Sequence, residues 1–523
     1  MPTQIRWLPP IPWSAAEEPL RHRLRRTGKF YLFLRTIRHE LFDAAFQAEL
    51  AAAYQPRGTA PLPAALLAMV TLLQAYTQTG DAEAVTAAEV DQRWQLVLDC
   101  LGCAQAPFSQ GALVKFRERM IAHDLDQKLL DRTVALAKTH GGFGWQALRA
   151  ALDSSPLVGA GRVQDTWNLI GRALATVATC AANATGRTRA DVVQAAGLTL
   201  VGASSLKAAL DIDWDDADAQ REALARLLAE VDQLEAWVTA HVTEATQTPA
   251  LQAAVTALRR VLAQDLEPDP GTGARRIRRG VAPDRMPSLG DPEMRHGRKT
   301  RTKPFSGYKR HVLTVLGADI IVGAVARPAN EPEHQALAPL VPTLIAHGPL
   351  TELFIDRGYL ASPTVPTLQH TGTAIRAKAW TAQNGGRYPK QRFTIDLAAQ
   401  RVTCPAGQTV PISHGATQVQ FLGVTCDACA QRAACTTTAA GRGRSISLHP
   451  QEALLQALRA ETRSPSGRAV LRERTHVEHR LARLDQIQGR RARYTGTRKN
   501  TLDVRRSAAV ANLLECRRLA TAA

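Results

Sequence analysis

The chain has 523 residues, of which 45% are hydrophobic and 21% are charged. This length suits about two to four domains with large cores, and the composition excludes collagen-like and intrinsically disordered proteins. The 65 Lys and Arg residues outnumber 47 acidic residues, giving a net charge of +18. Because the basic residues are clustered rather than spread evenly by compositional drift, they favour a polyanionic partner such as nucleic acid.

The N-terminal sequence MPTQIRWLPPIPW lacks the basic start and the apolar run of a signal peptide. The best apolar run, residues 64–73, is shorter than the roughly 18 apolar residues of a membrane span. We therefore expect a cytoplasmic, nucleoid-associated protein without a membrane partner. The eight cysteines are expected to be reduced thiols, so their spacing bears on metal binding rather than on disulfides.

Residues 1–140 are predicted to form a helical N-terminal domain that binds DNA. Apolar residues recur at helical spacing in LLAMVTLLQAY and in VDQRWQLVLDCLG. Ser109 is the predicted N-cap of a basic helix that contains Lys115, Arg117 and Arg119. This helix either enters a DNA groove or is a solvated surface helix.

Residues 141–400 are predicted to hold the first part of an α/β core, with a helical insert at 164–290. The apolar run in WQALRAALDSSPLVGAG predicts a strand that ends at Asp153. Residues 267–302 are rich in Pro, Gly and Arg and are predicted to be a flexible basic loop that lies along phosphates. The DNA-binding candidates in and after this loop are Lys299, Arg301 and Lys303.

Two further strands are predicted in GYKRHVLTVL and ADIIVGAVARPAN, with a turn near residues 317–318. Lys309 and His311 alternate along the first of these strands, so both are candidates to face the active site. The run TELFIDRGYL ends a buried strand on Asp356, which is either a turn residue or a metal ligand. Gly358 is predicted to let the chain turn away from this carboxylate.

Residues 401–450 are predicted to form a cysteine-bearing insert with little apolar core of its own. Its thiols follow a pattern of one lone cysteine, a C-x₂-C pair and a further cysteine: Cys404, Cys426, Cys429 and Cys435. Four thiolates with one tight pair suit structural Zn²⁺, although the spacing is not that of a standard zinc finger. Thiols without metal and an iron–sulfur cluster are the alternatives.

Residues 451–523 are predicted to hold the helix that carries Glu478 and a basic C-terminal region, helical from Gly467 onwards. Arg474, Glu478 and Leu481 share one face of the predicted helix LRERTHVEHRLARL. The carboxylates of Asp153, Asp356 and Glu478 can converge on divalent metal ions, although each residue alone is weak evidence for a metal site. The DNA-binding candidates of this region are Arg483, Arg490, Arg491, Arg493 and Tyr494, whose ring either stacks on an unpaired base or is buried.

Five segments, in this order, resemble the DDE transposases of bacterial insertion sequences: LDSSPLVGAGRVQDTWNLI, GRKTRTKPFSGYKRHVLTV, ARPANEPEHQALAPLV, LFIDRGYL and RTHVEHRLARLDQIQGRRARYTG. The nearest branch is the insertion-sequence eleven-eighty-two type, and the resemblance covers residues 41–514. It implies a ribonuclease-H-like mixed-sheet core, with Asp153 on the first strand and Asp356 on or just after the fourth. It also implies that Asp153, Asp356 and Glu478 are the catalytic carboxylates that hold Mg²⁺ or Mn²⁺.

The family signature around the catalytic Glu is Tyr, two residues, Arg, three residues, Glu, six residues, Lys. Here these positions hold Leu471, Arg474, Glu478 and Asp485, so the Arg and the Glu fit while the Tyr and the Lys are replaced. By resemblance, Arg474 steadies Glu478 or a phosphate.

The resemblance implies a transposase that binds terminal inverted repeats, cleaves DNA, joins the ends to target DNA and acts as a DNA-bound dimer. A stand-alone metal-dependent nuclease is one alternative. The other is a transposase-derived DNA-binding protein without catalysis, for which the two replaced signature positions argue.

Overall fold

The computed structural model describes residues 6–54, 62–141, 145–201, 206–379 and 382–522. The N-terminal region is helical, with α1 (Glu18–Leu24), α2 (Lys29–Leu41), α3 (Ala44–Ala52), α4 (Ala64–Thr77), α5 (Asp81–Val90), α6 (Gln92–Leu98), α7 (Gln110–Ala122) and α8 (Leu125–Gly141). Helix α4 lies at the centre, because every residue from 64 to 75 is buried. The Ser109 side chain accepts from the Ala112 N–H and caps α7, as predicted.

Strand β1 (Leu148–Val158) begins the central sheet and is followed by a second helical region. Its helices are α9 (Thr166–Thr185), α10 (Arg189–Ala195), α11 (Leu206–Leu210), α12 (Ala217–His241) and α13 (Pro249–Asp265). Their apolar faces form a hydrophobic core of their own, in which Leu174, Leu227 and Leu258 are fully buried. This region therefore stabilises itself largely through its own apolar contacts.

Three strands lie in the segment that the sequence suggested is a flexible loop, so that prediction is wrong. Strand β2 (Leu266–Pro268) pairs with β3 (Arg275–Ile277), and β4 (Arg295–Thr300) pairs with β5 (Lys303–Val315). Arginine and glycine have low strand propensity, but pairing with a neighbouring strand overrides propensity. The charges are also neutralised locally, since Arg276 forms an ion pair with Glu267.

The central sheet is mixed and is completed by elements in the order β6 (Ile320–Pro328), α14 (Leu337–Ile345), β7 (Leu350–Ile355), α15 (Thr364–His370) and β8 (Ala374–Arg376). Neighbouring strands follow the order β5-β1-β7-β8, and β4 and β6 both pair with β5, along different parts of its length. Strand β1 is antiparallel to β5 and parallel to β7. The predicted mixed-sheet α/β fold is confirmed.

The cysteine-bearing segment is a small unit of short elements: β9 (Thr394–Asp396), β10 (Arg401–Thr403), β11 (Thr409–Pro411), β12 (Gln418–Gln420), α16 (Gly423–Asp427), α17 (Arg432–Cys435) and β13 (Ser445–Ser447). It has a compact apolar core that includes Phe393, Val402, Phe421 and Ile446. The prediction of little apolar core was wrong, because these apolar residues are far apart in sequence and converge only through the strand pairings.

The C-terminal helices are α18 (Glu452–Arg463), α19 (Pro465–Arg472), α20 (Thr475–Gln488) and α21 (Thr497–Ala522). The prediction of one helix through LRERTHVEHRLARL is wrong, because the chain tightens at residues 473–474 between α19 and α20. There the backbone N–H groups of Arg474 and Val477 bond three residues back, to Leu471 and Arg474, at 3.4 and 3.1 Å. Such bonds form a tighter turn than those of an α-helix, so the chain has two helices here rather than one.

Helix α21 joins the N-terminal helices to the sheet. It packs against α8, β6 and α4, and these elements share one hydrophobic core. The Asn512 side chain donates to the Thr133 hydroxyl at 3.0 Å and to the Ile321 carbonyl at 2.8 Å, so it ties α8 to β6. Within the described ranges, no helix combines the length and the apolar character needed to cross a membrane.

Candidate active site

Asp153 and Asp356 lie where the parallel pairing of β1 and β7 ends. The last pair of this ladder is Leu152 with Ile355, and the two carboxylates follow at the same level. Strand β1 then continues to Val158 while paired only with β5, so the prediction that the strand ends at Asp153 is wrong. The end of β7 opens a space beside β1, into which both carboxylates can point.

Helix α20 brings Glu478 and the neighbouring Arg474 to the same end of the sheet. Its buried residue Val477 packs in an apolar cluster with Ala151 and Phe354, which lie just before the two Asp residues on β1 and β7. Arg474 lies 3.4 Å from the Asp153 Oδ2 and 3.3 Å from the Glu478 Oε1. One guanidinium therefore links two of the three predicted catalytic carboxylates.

All three carboxylates and Arg474 line one cavity of about 450 Å³. A second cavity of about 470 Å³ adjoins it, since it is also lined by Asp356, Arg474 and Glu478. Both cavities carry additional cations, which are Arg298, Lys299 and Lys309 in the first and Lys378, Arg468 and Arg472 in the second. The carboxylates thus lie between two groups of positive side chains.

Burial raises the pKa of Asp153 to about 6. The Arg474 cation and the Ser154 N–H, which donates to Oδ1 at 2.8 Å, oppose this rise, while the charges of Asp356 and Glu478 add to it. A buried carboxylate that is repelled by two others is stabilised by any further cation that enters the cavity.

Across the described ranges, no group of three or more His, Cys, Asp or Glu side chains is arranged to hold a metal ion. The donor types nevertheless fit Mg²⁺ or Mn²⁺, because hard divalent cations take carboxylate oxygens and water as ligands. The position of the Arg474 cation between Asp153 and Glu478 also shows that this cavity accommodates positive charge.

The predicted DNA-binding residues divide into three groups. Lys299 and Lys309 line the first cavity, and Lys309 donates to the Glu331 carbonyl at 3.2 Å. The exposed side chains outside both cavities are Arg301, Lys303, Arg483, Arg490, Arg491 and Arg493. The half-buried ring of Tyr494 has the guanidinium carbons of Arg117 and Arg506 at 5.9 and 5.6 Å from its centroid. The Tyr494 ring therefore already has two guanidinium groups of the chain beside it.

The basic helix α7 is held by partners within the chain. Arg117 forms an ion pair with Asp81, and the Arg119 guanidinium carbon lies 4.2 Å from the Tyr54 ring centroid. These contacts fit the alternative of a surface helix better than that of a groove-binding helix.

Two predictions for residues near Asp356, those for His311 and Gly358, are wrong. His311 does not face the cavity, because it is 1% exposed and its Nδ1 is hydrogen-bonded to the buried Tyr359 hydroxyl at 2.7 Å. Gly358 does not adopt a left-handed backbone, so it is not required for the turn. A side chain at Gly358 would instead collide with the carboxylate of Glu333.

His311 predicts a pH dependence of stability. Burial and, to a smaller extent, the cations Lys309 and Arg327 together lower its pKa to about 3. Since the unfolded chain binds this proton near pH 6.5 and the folded chain does not, the free energy of unfolding falls below pH 6.5. We expect a loss of about 1.4 kcal/mol per pH unit between roughly pH 6 and pH 4. The free energy of unfolding in urea should depend less on pH in His311→Phe than in the unsubstituted protein. Equal pH dependence in the two proteins would contradict this prediction.

Sequence reasoning missed three residues near the carboxylates: Arg298, Arg310 and Glu333. Arg298 and Glu333 line the first cavity. Glu333 follows β6, which ends at Pro328, in the segment ARPANEPEH. A polar residue shortly after a predicted strand is the available signal, and the same signal points to Asp356.

Arg310 is the ion-pair partner of Asp485, which stands at the Lys position of the family signature. Its side chain is fully buried on β5 and forms an ion pair with Asp485 of α20. It also donates to the Ser155 hydroxyl at 2.8 Å and to the Gln488 Oε1 at 2.7 Å. In this pair the sheet contributes the cation and the helix contributes the anion.

The four predicted zinc ligands, Cys404, Cys426, Cys429 and Cys435, line one small cavity of about 30 Å³ in the cysteine-bearing segment. Burial raises the pKa of Cys435; the nearby Arg444 cation opposes this, and the charges of the other three thiols add to it. The Arg444 N–H donates to the Cys426 Sγ at 3.4 Å. These thiols are free and half-buried.

One family model matches the chain: residues 403–516 match a transposase DDE domain. The match includes the cysteines from Cys404 onwards, Arg474 and Glu478, and it leaves Asp153 and Asp356 outside its limits. No curated protein and no solved structure matches the chain. Together with the mixed sheet, the family match supports a DDE transposase.

Proposed function

We propose that this protein is a transposase of the insertion-sequence eleven-eighty-two type. It binds the terminal inverted repeats of its element, cleaves DNA at the element ends and joins the free 3′ ends to target DNA. One observation carries the proposal: carboxylates from β1, from the end of β7 and from α20 line one cavity with Arg474 and three further cations. The site can thus bind both a divalent cation and the phosphates of a DNA strand.

Asp153, Asp356 and Glu478 would hold Mg²⁺ or Mn²⁺. Such ions, when bound, activate a water or a 3′-hydroxyl and stabilise the leaving oxygen of a phosphodiester. Arg474 neutralises part of the carboxylate charge and keeps the Glu478 side chain directed toward Asp153. The ion pair of Arg310 with Asp485 fixes α20, and therefore Glu478, against β5.

The cations of the two cavities would bind the DNA backbone on either side of the reacting phosphate. Lys299 and Lys309 contribute in the first cavity and Arg468 and Arg472 in the second. Each neutralised phosphate releases condensed counter-ions, so affinity should fall steeply with salt. Since two element ends must be brought together, we also propose that the protein acts as a DNA-bound dimer.

A single assay separates this function from its two alternatives. Purified protein is mixed with labelled inverted-repeat DNA and Mg²⁺ or Mn²⁺, with Asp356→Ala as the control. Cleavage followed by joining supports a transposase, and cleavage without joining supports a stand-alone nuclease. Binding that is insensitive to metal and to the substitution, without any cleavage, indicates a DNA-binding protein. Absence of any preference for element-end DNA would refute the proposal.

For the cysteine-bearing segment we propose structural Zn²⁺, because four half-buried thiols line one cavity and thiolate is a preferred zinc ligand. We expect about one zinc per chain by mass spectrometry of purified protein. The Cys426→Ser, Cys429→Ser double variant should lose it, while Cys180→Ser, in the helical region after β1, should keep it. Zinc-free wild-type protein, or full zinc in the double variant, would contradict the proposal.

A further inference from the structure

A fourth carboxylate, that of Glu333, reaches the candidate active site. Glu333 begins a short 3₁₀ turn (Glu333–Ala336) in the segment between β6 and α14, and it lines the same cavity as Asp153, Asp356 and Glu478. This residue has no role in the function proposed above.

Both oxygens of the Glu333 carboxylate are placed by their surroundings. Oε1 accepts from the Ser154 hydroxyl at 2.8 Å. Oε2 lies against Gly358, where the absence of a Cβ leaves the space that the carboxylate occupies. The carboxylate is therefore held between β1 and the turn that follows Asp356.

Ser154 connects Glu333 to Asp153. The Ser154 hydroxyl donates to Glu333, while the Ser154 N–H donates to the Asp153 Oδ1 at 2.8 Å. Beneath them lies the fully buried Tyr359, whose pKa is raised by burial and then by the charges of Glu333, Asp153 and Asp356. The charges of Glu333, Asp153 and Asp356 therefore all reach the Tyr359 hydroxyl, and the three side chains line one cavity.

We propose that Glu333 is a positioning residue whose negative charge strengthens the binding of a divalent cation by Asp153, Asp356 and Glu478. This rests on the proposed function, because it assumes that these three residues hold the cation. Residues that support metal ligands in this way typically change metal affinity about 10- to 100-fold when they are replaced. The ligand class is a hard divalent cation, for which Mn²⁺ is the probe.

The test measures Mn²⁺ binding to the full-length, DNA-free protein, using the electron paramagnetic resonance signal of free Mn²⁺. Glu333→Gln keeps the size of the side chain and an oxygen that accepts from Ser154, and removes only the charge. We expect its Kd for Mn²⁺ to rise about tenfold or more. Glu331→Gln is the matched control, since Glu331 lies two residues away, pairs with Arg327 and does not line the cavity. Its Kd should not change.

Two further variants separate charge from packing. Ser154→Ala breaks the hydrogen bond but keeps the Glu333 charge, so its Kd should rise less than that of Glu333→Gln. Gly358→Ala crowds the carboxylate and should weaken Mn²⁺ binding without unfolding the chain, because the displaced group is the end of a flexible side chain. A Glu333→Gln effect no larger than that of Ser154→Ala would overturn the inference.

Asp356→Asn distinguishes failure of this inference from failure of the proposed function. If Asp356→Asn weakens Mn²⁺ binding and Glu333→Gln does not, the role of Glu333 is refuted and the metal site stands. If neither variant weakens binding, the proposed metal site is refuted together with the role of Glu333.

Discussion

Asp356→Asn is expected to lower the rate of DNA-end cleavage by about 10³-fold or more, with DNA affinity nearly unchanged. A lost metal ligand removes several kcal/mol of transition-state stabilisation, and each 1.4 kcal/mol corresponds to a factor of ten in rate. The Asp356 Oδ1 accepts a hydrogen bond from the Arg357 N–H at 2.8 Å. The side-chain oxygen of asparagine can accept the same hydrogen bond. The turn after β7 should therefore persist, and the loss should be confined to the chemical step.

The measurement is single-turnover cleavage of labelled inverted-repeat DNA, with binding followed separately by fluorescence anisotropy. Asp396→Asn is the matched control, because the Asp396 Oδ1 accepts from the Ala399 N–H at 2.8 Å just after a strand, remote from both cavities. Its cleavage rate should equal that of the unsubstituted protein. Normal cleavage by Asp356→Asn would remove this carboxylate from the mechanism.

Arg310→Met is expected to lower the free energy of unfolding by about 3 kcal/mol, because it leaves the Asp485 carboxylate without its buried partner. Three further acceptors would lose a donor as well: the Ser155 hydroxyl, the Gln488 side chain and the Gly489 carbonyl. Burial lowers the pKa of Arg310 to about 10, so the side chain is charged at neutral pH and the pair is ionic.

A double-mutant cycle tests this. Adding Asp485→Leu to Arg310→Met should recover part of the stability, since two apolar residues replace a buried ion pair at little cost. Urea unfolding gives the free energies, and amide hydrogen exchange across Thr475–Gln488 reports whether α20 loosens. Arg490→Met, at a side chain that is 87% exposed and lies 3.9 Å from Asp485, should change both far less than Arg310→Met, because an exposed ion pair contributes little to stability. Additive effects of the two substitutions would show that Arg310 and Asp485 are not coupled.

The sequence was most informative where local pattern and global fold agree. An apolar run followed by Asp356 predicted a buried strand and its end correctly, because the last three residues of β7, Leu353 to Ile355, are apolar and buried in the interior of the sheet. Asp153 misled for a physical reason: SSPLV reads as a turn, yet pairing with β5 extends β1 through it. The selection of Glu478 depended on family resemblance, since spacing alone did not distinguish it from other helix carboxylates.

Contacts between residues distant in sequence could not be predicted. Arg310 and Asp485 belong to different elements, and neither shows in its own neighbourhood that the other is its partner. Glu333 reaches the cavity only because β6 runs along β5 and the segment after β6 returns to Ser154. Strand β4 was missed since its stability comes from β5 rather than from its own residues.

The position of α21 has a consequence for how the chain folds. This helix occupies the core between α8 and β6, and Arg498 and Arg505 pair with Asp126 of α8 from far along the sequence. Such long-range contacts make folding slow, because the loop must close before they can form. The apolar faces of α8 and β6 therefore stay partly uncovered until α21 docks, so the central sheet matures late and depends on this helix.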